Sequence, residues 1–306
     1  MNATVVGSIH LDWILRVPAL PAPGDTVLAS SRTTSPGGKG ANQAVTLRRL
    51  GAEVEMVGVV GDDDAGRELL ANFDAVGVGR GHVRVAVGEP SGVAVVAVDA
   101  GGDNGILVAP GASGTLSPDD VARAAAAVDG ADVVLLQLEV PLETISATVA
   151  AARAAGVPVV LNAAPARPLP DELIAALDVL VVNEGEALAL AGVDTGPERS
   201  VSAAAEALLA RGADAVVVTL GGAGAFVLDR SGRTDVPAHR VDVVDTTGAG
   251  DTFVAALAAS VGERRGLRDG ARLAAAAAAL AVQRPGAQSA PTLAQAQAFL
   301  SAAAGS

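Results

Sequence analysis

Short runs such as VVLLQ (133–137) and VLVVN (179–183) are apolar on both faces. A strand with no polar face must be covered on both sides, as in a parallel sheet sandwiched between helices. Helix-period segments alternate with these runs. The expected fold class is therefore α/β: a doubly wound, mostly parallel sheet flanked by helices and joined by right-handed crossovers. Strand candidates are 4–8, 54–59, 133–137, 157–162, 179–183 and 215–219; helix candidates are 39–50, 64–75, 118–128, 142–155, 171–176, 200–211, 250–261 and 270–283. Ligands of such sheets bind beyond the carboxyl ends of the strands. Gln137, Asn162, Asn183 and Thr219 are polar residues at those ends.

Two regions break the alternation. Residues 11–34 contain the strand-like pieces LDWILRV and TVLASSRTT, and residues 92–108 contain GVAVVAV and NGILV, joined by the turn DAGGD. Four strands without helices predict a small separate sheet carried on a single domain, 1–306. VAVVAV is apolar on both faces, so its second face needs cover. A partner subunit and the chain's own domain are the two candidates, and a homodimer is the expectation.

Bulk properties exclude several function classes. The 306 residues carry a formal net charge of −13, which argues against nucleic acid and against an anionic membrane surface as partners. There are no cysteines, and the three histidines are scattered, so thiolate and zinc sites are not expected. The N-terminus lacks a basic region followed by an apolar run. LAAAAAALAV (273–282) is too short to span a bilayer and is flanked by Arg272 and Arg284, which predicts a buried helix. A soluble, cytoplasmic protein is expected.

The chemistry concentrates in a few stretches. In VDTTGAGDTF (244–253), Gly248, Ala249 and Gly250 precede Asp251 and an apolar helical pattern. Free N–H groups at a helix start, approached closely over glycine, suit an anion. Asp251 beside them suits a general base for a hydroxyl nucleophile, with the N–H groups facing a transferring phosphoryl group. In SPGGKGANQAV (35–45) another glycine turn opens a helix, with Gly38 in the turn and Asn42 one turn in. Its Lys39 is the only lysine among cations that are otherwise arginine, a compact point charge suited to a crowded phosphate or hydroxyl site.

VVNEGEA (181–187) places Asn183 and Glu186 at a strand end. They either orient a Mg²⁺–phosphate water shell or cap a helix. VTLGGAGAF (218–226) offers Thr219, Gly221 and Gly224 to a nucleotide, or simply turns a hairpin. Asp12, in GSIHLD, sits on the strand face opposite Trp13, Leu15 and Val17, where it either accepts two sugar hydroxyls or is a solvated edge charge. Glu139 follows a strand end where ligands bind. His10 is either a substrate contact or a satisfied strand-end histidine.

The chain resembles the ribokinase (PfkB) family of carbohydrate kinases. GSIHLD, PGGKGANQAV, VVNEGEA and DTTGAGDTF carry the match, LNAAPARPLPDEL and QRPGAQ extend it, and it covers essentially the whole chain. The resemblance implies ATP-dependent transfer to a sugar hydroxyl, for ribose the 5-hydroxyl, giving D-ribose 5-phosphate. It makes Asp251 the catalytic base and Gly248, Ala249 and Gly250 the anion hole. Asp12, Gly38, Lys39, Asn42 and Glu139 would bind the sugar, Asn183 and Glu186 would serve Mg²⁺ and the phosphates, and Thr219, Gly221 and Gly224 would line the nucleotide pocket. An activating K⁺ would lie at Asp245, Thr247, Ala281, Arg284 and Gly286.

The resemblance also makes the small sheet, about 10–35 and 90–110, a lid that forms the dimer interface. Three positions depart from the family pattern: His10 stands in place of an asparagine that contacts sugar, Ala275 in place of a histidine near adenine, and Ala290 in place of a serine near K⁺, with Ser289 adjacent. His10 raises 2-deoxyribose, another pentose or a nucleoside as alternative acceptors. A non-catalytic sugar or nucleotide binder is the further alternative, opposed by the intact Asp251 and Lys39. A dehydrogenase lacks its complete G-x-G-x-x-G fingerprint.

Overall fold

The computed structural model describes residues 1–192 and 200–304. In chain order the strands are β1 (Asn2–Val6), β2 (His10–Arg16), β3 (Ser31–Gly37), β4 (Glu53–Gly61), β5 (Gly79–Ala86), β6 (Gly92–Val98), β7 (Asn104–Ala109), β8 (Val133–Gln137), β9 (Val159–Asn162), β10 (Val179–Asn183), β11 (Ala215–Thr219), β12 (Ala225–Asp229) and β13 (Gly232–Val236). The helices are α1 (Lys39–Arg49), α2 (Asp64–Val76), α3 (Pro118–Arg123), α4 (Ala125–Asp129), α5 (Leu142–Ala155), α6 (Asp171–Ile174), α7 (Glu184–Ala191), α8 (Val201–Ala210), α9 (Ala249–Gly262), α10 (Leu267–Ala281) and α11 (Leu293–Ala304).

The main sheet runs β13-β12-β11-β10-β9-β8-β1-β4-β5. Its neighbours pair in parallel from β5 to β11, and β12 and β13 close one edge antiparallel. The two-faced apolar runs behave as their composition demands: all of β8 is buried. Because successive strand residues point to opposite sides, Val5, Leu135 and Val217 join the core beneath α1, α9 and α10. Val6, Leu136 and Val216 join the core beneath α5 and α8. The alanine run of α10 is buried against α9, its small side chains permitting close approach. Among the described residues no helix is long and apolar enough to cross a membrane.

The chain leaves β1 toward β4 and β5 on one side, then returns to β8 on the other. The strand order thus reverses at the β1/β8 boundary, the switch point where open α/β sheets bind ligands. The start of α1 is pressed onto this point. A Cβ added at Gly40 would lie 2.7 Å from the backbone N and O of Ser8, and one at Gly38, whose φ is 86°, would lie 2.8 Å from His10 N. The glycines of the 35–45 stretch therefore set a backbone-to-backbone distance.

The four strands expected outside the alternation do form their own sheet, ordered β3-β2-β6-β7. β3 begins later than its expected 26–34 segment, in the register His10↔Gly37. On this sheet Trp13, Ile106, Leu107 and Val108 are exposed. The sequence reading missed β5, β12 and β13. β5 and β13 are edge strands with polar, partly exposed faces, and β12 follows a glycine turn that masks its short run. It also missed α11, where alanine and glutamine give a weak apolar stripe. The expected 118–128 helix breaks at Ala124 into α3 and α4.

Gly40→Ala is expected to destabilise the chain by about 1–3 kcal/mol or more, the range for overpacking against rigid backbone. A urea midpoint equal to that of the unsubstituted chain would refute the close-approach account.

Candidate active site

Asp251 lies in the first turn of α9, whose N-cap Gly248 has a left-handed φ of 76°. Its carboxylate is buried at 8% exposure. Oδ2 accepts from Asn42 Nδ2 at 3.0 Å and Oδ1 from Gln43 Nε2 at 2.9 Å. Removing an ion from water costs several kcal/mol, whereas a hydrogen bond to a charged group returns roughly 1.5–3 kcal/mol. Burial prevails, and the Asp251 pKa is raised; the Lys39 ammonium and the two amide donors hold the rise back. The N–H of Ala249 donates to Thr246 O at 3.1 Å. That leaves the Gly250 and Asp251 N–H groups, which have no intrahelical acceptor at this position, as the open donors of the helix start.

Across the switch point lie the other polar residues. Glu139 Oε2 accepts from Ser8 Oγ at 2.5 Å and from the backbone N of Lys39 at 3.1 Å. His10 Nδ1 is 3.9 Å from the same oxygen. Burial lowers the His10 pKa more than Glu139 raises it, which favours the neutral imidazole at this contact. His10 Nε2 and Asp12 Oδ1 are buried without a partner among the described residues. Burial, together with Glu139 and Asp251, raises the Asp12 pKa to about 7 against the opposing pull of Lys39. Burial also works against the Lys39 ammonium, but Asp251, Glu139, Glu186 and Asp12 outweigh it and raise its pKa. Lys39 makes no direct ion pair among the described residues, so its charge stays available to a ligand.

Two cavities meet at this end of the sheet. A polar one of about 150 Å³ is bordered by Lys39, Asn183, Glu186, Thr219, Gly250 and Asp251. A larger, mainly apolar one of about 460 Å³ shares Thr219 and Gly250 with it. Gly221, Gly224, His239, Phe253 and Ala275 are among the residues that line this second cavity. The stretch after Thr219 turns the β11–β12 hairpin, and its glycines also wall the apolar cavity. Asn183 and Glu186 form the helix cap that the sequence allowed. Asn183 Oδ1 accepts from Glu186 N and Glu186 Oε2 accepts from Asn183 N, each at 2.8 Å, forming a capping box that borders the polar cavity. Burial raises the Glu186 pKa.

The residues expected around a monovalent cation are neighbours. Asp245 Oδ1 accepts from Thr247 N and Oγ1, at 2.9 and 2.6 Å, and Oδ2 accepts from Gly286 N at 2.8 Å. These bonds hold the Asp245 carboxyl below its usual range although burial pushes it up. Ala281 O accepts from Arg284 N and from Ser289 Oγ, while Ala290 O accepts from Arg49. A Cβ at Gly248 would fall 2.2 Å from Ala287 O, so this loop is seated directly on the start of α9.

A family model described as pfkB family carbohydrate kinase matches residues 2–293. The chain belongs to that family. Among its carbohydrate-kinase relatives, the ribokinase of Bacillus subtilis is 39% identical over 287 residues, 94% of each chain. A deoxyribokinase of Salmonella typhimurium is 37% identical over 259 residues, 84% of this chain and 85% of the other. The solved structure of Arabidopsis thaliana ribokinase complexed with ribose and ATP superposes with a TM-score of 0.87 at 35% identity, covering 98% of both chains.

Several polar residues of this kinase-family site were not singled out in the sequence. Ser8 tethers Glu139. Gln43 holds Asp251, and Gln288 donates to Asn42 Oδ1 at 3.3 Å while accepting from Asn72 at 3.0 Å. Gln43 stands inside the quoted GANQAV stretch; the signal available was its helical position immediately after Asn42.

A carboxyl with a raised native pKa favours the folded state while protonated, so Asp12 disfavours folding increasingly as pH rises from about 4 through about 7. Asp12→Asn is expected to raise Tm at pH 8 by several degrees and to leave it nearly unchanged at pH 4, about 1–3 kcal/mol at the higher pH. Equal Tm differences at both pH values would contradict the raised pKa.

Proposed function

We propose that the chain transfers the γ-phosphoryl group of ATP to the 5-hydroxyl of D-ribose, giving ADP and D-ribose 5-phosphate. One observation carries the reading: Asp251 is buried at a helix start, held by two amides, where the polar cavity meets the switch point. Its carboxylate takes the hydroxyl proton as the sugar oxygen bonds to phosphorus and the bond to the ADP oxygen breaks. The open N–H groups of Gly250 and Asp251 and the Lys39 ammonium face the phosphoryl oxygens and stabilise the charge that spreads over them.

Asp12, His10, Gly38, Asn42 and Glu139 surround the sugar. The unpartnered Asp12 Oδ1 and His10 Nε2 support this assignment, since buried polar atoms without partners suit ligand hydroxyls. The apolar cavity suits the base and ribose of ATP, with Thr219, Gly221 and Gly224 on its wall.

Among the described residues no three His, Cys, Asp or Glu side chains gather to hold a metal alone. Asn183 and Glu186 offer an amide and one carboxylate, which suits Mg²⁺ arriving with the nucleotide and keeping much of its water. Bound there, it supplies charge neutralisation at the phosphates. The oxygen-rich loop pair of Asp245, Thr247, Ala281, Arg284 and Gly286 suits K⁺, which would neutralise the Asp245 carboxylate. The small sheet serves as lid, with Ile106 and Leu107 joining two copies into a dimer, and the ATP requirement fits a cytoplasmic enzyme.

A second acceptor, 2-deoxyribose, is favoured by His10 beside Glu139 and by the deoxyribokinase relative. A panel of ribose, 2-deoxyribose, other pentoses and nucleosides with MgATP, compared by kcat/KM, decides between them; ribose leading the panel is the expected result. Asp251→Asn should keep sugar binding and lose about 10²–10⁴ in kcat, the loss of a general base; an unchanged kcat would remove Asp251 from this role. Leu107→Asp should convert a dimer to a monomer in sedimentation velocity, and a monomeric parent chain would refute the lid interface.

A further inference from the structure

Gln137 and Asn162 end β8 and β9, where the sequence suggested ligand contacts. Both turn to Gln43. Gln43 is fully buried on α1 and borders neither cavity. Its Nε2 donates to Asp251 Oδ1 at 2.9 Å and to Asn162 Oδ1 at 3.1 Å, and its Oε1 accepts from Gln137 Nε2 at 2.6 Å. A primary amide has two N–H donors and one carbonyl acceptor, so every group of Gln43 is engaged. The amide can face only one way: reversed, it would set its oxygen against the oxygens of Asp251 and Asn162 and its N–H₂ against that of Gln137. Gln137 Oε1 is left buried and without a partner among the described residues, a cost that an apolar pair at these positions would avoid.

We propose that Gln43, its amide locked by Gln137 and Asn162, is the positioning residue for Asp251. It fixes the plane of the carboxylate and keeps Oδ1 occupied as an acceptor, so that the remaining lone pairs face the incoming hydroxyl. The proposal rests on the phosphoryl-transfer reading for its consequence, and on the three hydrogen bonds for its geometry. Asn42, on the same helix, bonds the other oxygen. The charged groups facing Asp251 from neighbouring elements are Lys39 on α1, Glu139 after β8, Asp12 on β2 and Glu186 on α7. Asn42 and Gln43 are the neutral donors among them, and both favour the ionised carboxylate.

The test reads Asp251 directly. Its carboxyl-carbon NMR signal is assigned by its loss in Asp251→Asn, then titrated in the unsubstituted chain and in Gln43→Leu and Gln137→Met. Removing a donor from the charged form moves the titration to higher pH, by about half a unit or more in Gln43→Leu; in Gln43→Glu the added carboxyl titrates jointly with Asp251, so only kcat and KM are read from that variant. Gln137→Met, which keeps Gln43 but frees its amide, should move it less and in the same direction. With the sugar the parent chain phosphorylates, kcat should fall about tenfold or more in Gln43→Leu while the sugar KM changes less than about threefold. The acid limb of kcat should follow the carboxyl titration.

If Gln43→Leu does not fold, Gln137→Met decides, since it leaves Gln43 in place and adds no charge beside Asp251. The proposal is overturned by an Asp251 titration that stays in place in the folded variants, or by a loss confined to KM. A lowered Tm with kcat and titration intact overturns it as well. A parent chain that phosphorylates no sugar overturns the reaction reading instead, and the Asp251 titration still decides what Gln43 does.

Discussion

A carboxylate held out of water at the start of a buried helix makes demands on everything near it. Asp251 has no solvent to share its charge, so the protein supplies two amide donors and one ammonium group. The two amides are buried in turn and need their own partners. Gln43 reaches Gln137 and Asn162 at two strand ends, and Asn42 reaches Gln288 and through it Asn72 on α2. Lys39 stands opposite four carboxylates and forms a direct pair with none of them among the described residues. The polar contents of the cleft follow from keeping that one group charged and aimed. This is a stability cost that a core built only to fold would not carry.

The fold makes such a cluster possible by bringing two helix starts to one end of one sheet. α1 and α9 pack side by side on the same face, and the chain's reversal at β1/β8 opens the crevice that they border. Glycines at 38, 40 and 248 bring backbone against backbone there. The apolar cavity beyond β11 and the polar cavity at Asp251 share Thr219 and Gly250. The two cavities therefore form one continuous path that ends at the carboxylate.

What could be read from the chain depended on whether a residue's role is local. The two-faced strands and the glycine-opened helices announce themselves through neighbours in sequence, and Asp251, Lys39 and the small sheet were all legible on that basis. Asn183 and Glu186 were legible as a helix cap, a role set by residues three apart in sequence, and the folded chain also places them on the polar cavity. Edge strands β5 and β13 were not, because one side of an edge needs no apolar residue. Gln43 and Gln288 escaped for a different reason. Their partners lie 94 to 246 positions away along the chain, and only the folded sheet makes them adjacent.

The contact between Gly248 and Ala287 has a further consequence. Val282 O receives the backbone N–H groups of Val244 and Asp245, and five residues later Ala287 O lies under Gly248. The loop between these two points acts as a ruler laid along the start of α9. Adding or deleting a residue within 283–286 would lift one end off its mark. The length of that stretch is therefore as constrained as that of any strand in the sheet.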